Sequence, residues 1–463
     1  MTADWQTFFK DKRATQLGLG LLGRGVHDAQ FLAAHVAHLT VTDMKTAEQL
    51  QESVEVLAGS AHDTLTLVLG EHRMEDFEHV DFVLKGAGVP LASPYIAHAR
   101  AQGIPVYMDE SLFAELAPQG VTLIGITGTR GKTTTTLLIE HVLRTAVEAG
   151  VCSGSVHLAG NIRGIATLPL LEMVTGGDTV VAELSSWQLQ GFGESKRSPQ
   201  IAVFTNFFPD HLNYYGGSME AYFADKAQIF AHQTEGDVLI MSPQAHAALQ
   251  TYWKGELRGR VIVVGPETCA ALTEKLLVPG AHNVQNAALA IAVAKELGIT
   301  DEIIAHALST FRGAPGRLER VPCAAPYQVY NDATSTTPDA LRVALETLSP
   351  LATARGGRLV LICGGTSKEL ALDSLGPIFT QYLPTVITIP GTGTAALMPL
   401  LLVSGVSSTE TANLSDAVVA AKTILTENDI LVFSPGFASF GEFKNEFDRN
   451  DTFLRLVEEW LCA

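Results

Sequence analysis

The feature that most constrains this chain is a short apolar run that enters a glycine-rich turn and then a helical pattern, used three times. The runs are Gln16–Gly23, Val121–Thr127 continuing into Gly128-Thr-Arg-Gly-Lys-Thr-Thr134, and Arg358–Gly365. Short β-rich runs alternate with helical patterns almost throughout, so the fold class is α/β with mainly parallel sheets. The second start is the most specific, because helical periodicity resumes at Leu137-Leu-Ile-Glu-His-Val-Leu143. At such a junction glycines let the backbone approach phosphates, and amides and the helix N-terminus face them. Lys132 then reaches the β- and γ-phosphates and the Thr133 hydroxyl ligates Mg²⁺. Ile126 stands where the standard phosphate loop has its first glycine. The bland alternative is a tight turn with an exposed lysine. The coincidence of strand, Gly-x-x-Gly-Lys-Thr-Thr and helix outweighs it.

At about 100–200 residues per domain, 463 residues suggest three domains. Linkers near Leu116–Gly120 and Arg312–Gly316 divide the chain into 1–117, 118–314 and 315–463. The apolar share of 47% is ample for full cores and argues against general disorder. No apolar run is long enough to span a bilayer, and Met1–Arg13 lacks the basic start and apolar stretch of a signal peptide. The net charge of −18 argues against a nucleic-acid partner, although backbone amides and a few lysines still hold small anions. Cys152, Cys269, Cys323, Cys363 and Cys462 are scattered without a CxxC pair. They indicate neither a disulfide framework nor a zinc site, and a reduced cytoplasmic setting fits.

Further residues carry chemistry. Asp178–Leu184 reads as a short strand with Glu183 near its end, placed to bind Mg²⁺ beside the phosphate loop; alone this is a weak signal. His211 follows a Pro-Asp turn, where a lone histidine is more often structural than a ligand. Ser218 reads as the N-cap of a helix through about His232. Its apolar stripe of Met219, Tyr222, Phe223, Ile229 and Phe230 takes in Lys226. A buried ammonium is costly unless paired or neutralised; a lysine that snorkels to the surface is the alternative, and the helix alone leaves both open. Gly18-x-Gly-x-x-Gly23 with Asp43 downstream matches a dinucleotide fingerprint, with Asp43 as a mere cap the alternative.

Together these residues resemble the Mur ligases of peptidoglycan synthesis. That family carries Gly-Thr-x-Gly-Lys-Ser/Thr-Ser/Thr, Glu-Leu-Ser-Ser-x-Gln, Asp-His and a downstream lysine. They are matched here by Gly128–Thr134, Glu183–Gln188, Asp210-His211 and Lys226. The likeness covers nearly the whole chain. It implies a Rossmann-like UDP-binding domain, a central phosphate-loop ATPase domain and a C-terminal Rossmann-like domain. It implies ATP held by Gly128, Thr129, Arg130, Gly131, Lys132, Thr133 and Thr134. Adenine would meet His282, Asn283 and Asn286 of His282-Asn-Val-Gln-Asn286, and the adenosine part Arg317 and Asp332. Two Mg²⁺ ions are implied, one at Thr133 and Glu183, the other at His211 and Lys226. The family's lysine is carbamylated by CO₂, which reconciles Lys226 with burial. Lys132, His211 and Lys226 form the implied catalytic set.

For the UDP substrate the resemblance implies Gly23, Arg24, Asp43, Gly86, Gly88, Asn161, Ser185 and Gln188. The tail Leu431–Asn445 with Arg449, and Gly364-Gly-Thr-Ser-Lys368, resemble the D-glutamate-adding branch of the family. Thr336, Lys368, Ser439 and the position of Glu446 would meet D-glutamate. The implied partners are UDP-N-acetylmuramoyl-L-alanine, D-glutamate and ATP. The reaction would run through an acyl phosphate to ADP, in a cytoplasmic monomer serving cell-wall biogenesis, cell shape and cell division.

The chain departs from the family at Thr334, where a lysine is usual, at Glu446, where an aromatic packs on the amino acid, at Gly316 and at Arg130. Competing readings are an NAD-dependent oxidoreductase, another Mur-type or folylpolyglutamate-type ligase, and a phosphate-loop switch or motor protein. The oxidoreductase lacks a second redox signature. The tail motif opposes another amide ligase, and a motor needs neither Lys226 nor a UDP-binding domain.

Overall fold

The computed structural model describes residues 4–21, 23–59 and 64–461. Leu22 of the first glycine turn and Cys462 lie outside the described residues. Three sheets follow one another along the chain. The first contains β1 (Arg13–Leu17), β2 (His38–Asp43), β3 (Leu65–Leu69), β4 (Phe82–Lys85) and β5 (Val106–Tyr107) in the order β3-β2-β1-β4-β5. The second contains β6 (Thr122–Thr127), β7 (Val156–Gly160), β8 (Thr179–Glu183), β9 (Ile201–Phe204), β10 (Val238–Met241) and β11 (Arg260–Val263) in the order β11-β10-β9-β6-β8-β7. Both are parallel throughout.

The third sheet contains β12 (Glu319–Val321), β13 (Gln328–Asn331), β14 (Leu359–Gly364), β15 (Thr385–Ile389), β16 (Ser408–Glu410) and β17 (Ile430–Phe433) in the order β12-β13-β17-β14-β15-β16. Only its β12–β13 pair is antiparallel. The α/β, mainly parallel expectation therefore holds. No helix among the described residues is long and apolar enough to cross a membrane.

Packing divides the molecule into two compact units: Met1–Thr273 with Gln285–Ala307, and Glu274–Val284 with Leu308–Ala463. One apolar core explains why the first two sheets form one unit. It runs from Phe9, Leu39 and Phe82 through Leu112, Phe113 and Leu116 to Leu189, Phe204 and Met241. The helix Asp109–Leu116, which ends at the first proposed linker, lies inside that core. The second unit has a core on each face of its sheet. Leu359, Leu361 and Cys363 of β14 face one, Val360 and Ile362 the other, as the two-residue repeat of a strand requires. Residues 274–284 pack with this unit, since Val278 lies beside Gly313 and Gly280 beside Thr347. This division differs from the sequence segments, which assign 274–284 to the central one.

The strands are introduced by a repeated local device, Thr-x-x-Asp. Asp178, Asp237 and Asp429 each precede a strand, and each carboxylate accepts both the N–H and the hydroxyl of the threonine three residues earlier. Asp178 and Asp429 use their second oxygen for a neighbouring strand entry, from the Ser155 N–H at 2.6 Å and the Arg358 N–H at 2.9 Å. Burial works against the charged form of both. These hydrogen bonds outweigh it and hold both carboxyls below the usual range.

Among the cysteines, Cys152, Cys269 and Cys363 are free. Cys323 is disulfide-bonded, which the scattered spacing did not indicate.

A depressed carboxyl pKa contributes stability above its unfolded value, and loses it as pH falls through the folded one. Asp429→Asn should cost about 1–3 kcal/mol near neutral pH, the worth of hydrogen bonds to a charged group. In urea unfolding of both proteins the gap should shrink below about pH 4. A gap independent of pH counts against the carboxylate as its source.

Candidate active site

In a parallel sheet every strand delivers its C-terminal end to the same edge, where ligands of open α/β sheets bind. The order β9-β6-β8-β7 sets four ends side by side. Ile126 and Gly160 both pair with Glu183, and Thr127 with Phe204. This register gathers the phosphate loop, Glu183, Gly160-Asn161 and the segment after Phe204.

The loop closes tightly. Gly131, with φ +80°, caps the helix Lys132–Glu148. A Cβ on Gly131 would meet Asn286 Oδ1 at 2.5 Å, and a Cβ on Gly128 would meet Thr205 Oγ1 at 1.9 Å. Asn286 is thus brought against the loop. The Lys132 ammonium donates to the carbonyls of Gly128 and Thr129 at 3.1 and 3.0 Å. Thr133 and Thr134 sit in the first helical turn, whose amides have no intrahelical acceptor.

Lys226 does not snorkel. It is 1% exposed, and its Nζ donates to the Gly128 carbonyl at 2.8 Å and lies 4.9 Å from the centre of the Tyr222 ring. Burial, then Lys132, push its pKa well below the usual lysine value, against Asp210, Glu183 and Asp225. Its helix, Met219–Ala227, ends before the expected His232, and turns follow. Glu183 is also buried. One oxygen accepts from Asn161 Nδ2 at 3.3 Å, and Oε2 has no partner among the described residues. His211 has a left-handed backbone, φ +52°, and its ring packs on Trp187 at 4.7 Å between centroids. Burial lowers its pKa, Asp210 opposes, and Lys132 and Lys226 add to the lowering. The unpartnered buried oxygen of Glu183 is the kind of hard donor that Mg²⁺ takes, whereas the His211 imidazole and the unmodified Lys226 amine are nitrogen donors that it does not favour. Among the described residues no three His, Cys, Asp or Glu side chains converge as a ready-made metal site.

The first sheet carries a cavity of about 490 Å³ at its strand ends, lined by Gly18, Arg24, Asp43, Gly86 and Gly88 among others. Asp43 is more than a cap. Its carboxylate accepts the amides of Leu19, Gly20 and Lys45, so it holds the glycine turn and the next segment together. Gly23, φ +84°, starts the helix Arg24–His35. Arg24 donates to the Gly160 carbonyl at 3.2 Å and lies 3.7 Å from Glu110. Ser185 and Gln188 form the capping box of the helix Ser186–Ser195. Gln188 is fully buried, with its amide nitrogen on Glu110. Its side-chain oxygen accepts from the Ser185 N–H and hydroxyl, at 2.8 and 2.7 Å. Lys85, in the cavity wall, is lowered to about 8 by burial.

In the second unit the implied D-glutamate set is divided. Thr336 and Lys368 line one small hollow with no room for a water molecule, and Ser439 lines a cavity of about 430 Å³ with Arg449. Glu446 lines neither of these; it opens the helix Glu446–Trp460. Arg449 is wholly buried on the carbonyls of Ala333, Ser335 and Phe437, and burial lowers it to about 10 against Glu446 and Asp332. Thr334 donates to the Gly316 carbonyl at 2.7 Å, so the residue in the usual lysine position ties down the turn before Arg317. Asp332 accepts from the Leu318 N–H and the Ser434 hydroxyl, and burial raises it to about 7. Arg317 is exposed. His282 and Asn283 open the helix Ala281–Glu296, and the division between the units falls after Val284, ahead of Asn286.

Sequence reasoning missed Asn206, Gln244 and Glu110. Asn206 and Gln244 have amides that read loop peptides, and no spacing rule announces that. Glu110 is an acid in a helix start, ordinarily a solvated residue.

The Mur ligase middle domain model matches residues 126–275, and the model described as Mur ligase, glutamate ligase domain matches 316–437. The chain is 35% identical to the UDP-N-acetylmuramoylalanine–D-glutamate ligase of Roseiflexus sp., over 97% of this chain and 99% of that protein. It is 32% identical to the enzyme so named from Borreliella burgdorferi, over 95% and 96%. In fold it is similar to UDP-N-acetylmuramate–alanine ligase from Thermotoga maritima, with a TM-score of 0.58 and 18% identity over 97% of this chain and 99% of that one. The MurF ligase of the same organism in complex with ADP gives 0.55 and 16% over 98% and 96%.

Gly128→Ala must displace Thr205 and strain a backbone at φ +148°. Its affinity for Mg·ADP, by calorimetry, should fall at least about tenfold, one 1.4 kcal/mol step. Gly236→Ala, whose Cβ meets nothing within 4 Å, is the control and should bind normally. Equal affinity in the two variants would remove the loop from nucleotide binding.

Proposed function

Because this chain belongs to the Mur ligase family, we propose that it joins D-glutamate to UDP-N-acetylmuramoyl-L-alanine at the expense of ATP. The observation that carries the reading is the buried Lys226 amine on the Gly128 carbonyl, beside Glu183 and His211 at one sheet edge. A switch or motor ATPase has no use for that amine. An oxidoreductase would need the glycine turn alone, and its Asp43 is already occupied by backbone amides.

The loop amides and Lys132 hold the ATP phosphates. The L-alanine carboxylate of the substrate attacks the γ-phosphorus; ADP leaves and an acyl phosphate forms. The D-glutamate amine then attacks the acyl carbon, loses a proton and expels inorganic phosphate. Charge spreads over the phosphoryl oxygens, so position and electrostatics dominate the rate. Thr133 and Glu183 would hold one Mg²⁺, His211 and a carbamylated Lys226 the other; the ions would supply positive charge opposite the phosphoryl oxygens. Carbamylation needs a neutral amine, and burial favours that form of Lys226.

The cavity at Arg24 and Asp43 takes the UDP part, with Gly23, Gly86, Gly88 and Asn161 around it. Ser185 and Gln188 serve as its support. His282, Asn283, Asn286, Arg317 and Asp332 serve adenosine. Lys368, Thr336 and Ser439 receive the amino acid, with Glu446 kept off it. All these residues come from one chain, so a monomer suffices, acting in the cytoplasm where these precursors are made.

Phosphate release should require ATP, UDP-N-acetylmuramoyl-L-alanine and D-glutamate together. Across a panel of D- and L-amino acids, a neutral or basic one turning over faster than D-glutamate sinks the assignment. Lys368→Ala should raise the D-glutamate KM roughly ten- to a hundredfold, the worth of a charge-assisted hydrogen bond, and leave the ATP KM unchanged. Lys226→Ala should be almost inactive. In ¹³CO₂-equilibrated protein, a carbamate carbonyl resonance should be present in the wild type and absent from that variant; its absence from the active wild type overturns the carbamate.

A further inference from the structure

We propose that Asn206 is a positioning residue for phosphoryl transfer, clamping the Arg130 peptide so that its carbonyl faces away from the phosphates. The inference rests on the reading of Gly128–Thr134 as the ATP-phosphate loop. Asn206 follows β9 and pairs with both backbone groups of Arg130. Its Oδ1 accepts the Arg130 N–H at 2.9 Å, and its Nδ2 donates to the Arg130 carbonyl at 3.0 Å. The Thr205 hydroxyl donates to the same carbonyl at 2.6 Å, and the Thr129 N–H reaches the Asn206 carbonyl at 2.9 Å. Four hydrogen bonds thus fix the backbone of two consecutive loop residues, Thr129 and Arg130, from one side.

The clamp is itself braced. Gln244, on the helix Pro243–Tyr252, accepts the Phe207 N–H at 2.7 Å and donates to the Phe207 carbonyl at 2.5 Å. The Thr129 hydroxyl exchanges bonds with both backbone groups of Phe208, at 3.2 and 2.9 Å. Two side-chain amides in series therefore tie a rigid helix to the loop, with a buried Phe207 ring between them.

The arrangement has an electrostatic consequence. A loop carbonyl turned toward the phosphates would set a partial negative charge against anionic oxygens, and an anion-binding nest works only if its N–H groups point inward. The amides of Thr129 and Arg130 are consumed by Asn206. Phosphate recognition then falls on the peptides from Gly131 into the first turn of the helix, and Asn206 keeps the preceding carbonyl out of the way. This pre-organisation acts on the nucleotide and leaves the UDP cavity alone.

Asn206→Asp keeps the shape and the acceptor, and replaces the donor by a second acceptor facing the Arg130 carbonyl. Asn206→Ala removes both. In calorimetry with Mg·ADP each should bind roughly ten- to a hundredfold more weakly, as expected for hydrogen bonds lost from a positioned site. The dissociation constant for UDP-N-acetylmuramoyl-L-alanine should stay within about twofold. Gln244→Glu should give a smaller loss of the same kind. Nucleotide affinity unchanged in both Asn206 variants overturns the clamp, as does equal weakening of both ligands. If Asn206→Ala does not fold, Asn206→Asp decides alone; if neither folds, Asn206 is structural and the proposal fails. Wild-type protein that binds no Mg·ADP overturns the phosphate-loop reading itself, a separate outcome.

Discussion

A primary amine taken out of water must be paired or neutralised, and Lys226 is where this chain meets that requirement. Its Nζ donates to the Gly128 carbonyl and to the Thr127 hydroxyl, so the helix Met219–Ala227 is pinned at the start of the Gly128–Thr134 loop by polar contacts from a buried side chain. Phe223 and Phe230 give that helix its apolar anchorage, and the amine gives it its position relative to the chemistry. Removing the amine's partner leaves a group that burial alone drives toward neutrality. The parallel register then does the rest, because Glu183 and the segment carrying Thr205 and Asn206 can only emerge beside the loop.

The same economy of charge recurs in the second unit. Arg449 is a guanidinium with carbonyl partners and no carboxylate at hydrogen-bond distance among the described residues. It draws the segment 333–335 and Phe437 together, and its field reaches the cavity that Ser439 lines. A chain of net charge −18 that acts on anionic substrates needs such local inversions of sign, and Arg449, a buried guanidinium held by backbone oxygens, makes one.

Much of this was legible in the sequence, for reasons that differ by residue. The loop Gly128–Thr134 was readable as a tight strand-to-helix turn because glycine stands at the two positions where the backbone takes a positive φ and nothing larger fits. Lys226 was readable as inward because helical periodicity fixes the face, although the face alone did not say whether the side chain turned back to solvent. Glu183 was readable as a strand end. Other parts were not legible. Asn206 and Gln244 act through amide groups that meet peptides distant in sequence, and nothing in a Thr-Asn or Pro-Gln pair signals this. Gln188 was read as a substrate contact, and the sequence did not show that its side chain is buried in a capping box, since a capping-box glutamine and a ligand-facing one have the same spacing. The segment 274–284 looked central from its place in the chain. Its packing on Gly313 and Thr347 depends on contacts that sequence order does not reveal.

That last segment bears on how such a molecule can be taken apart or recombined. The chain enters the second unit at Glu274, returns to the first for Gln285–Ala307, and enters again at Leu308. The unit is thus discontinuous, and its covalent limits do not coincide with any single cut. A chimaera joined at residue 308 would inherit both faces of the third sheet but not Val278 or Gly280, leaving Gly313 and Thr347 without the neighbours they pack on here. Exchange of this module between relatives must carry the upstream stretch with it, so the natural unit of inheritance is larger than the sheet.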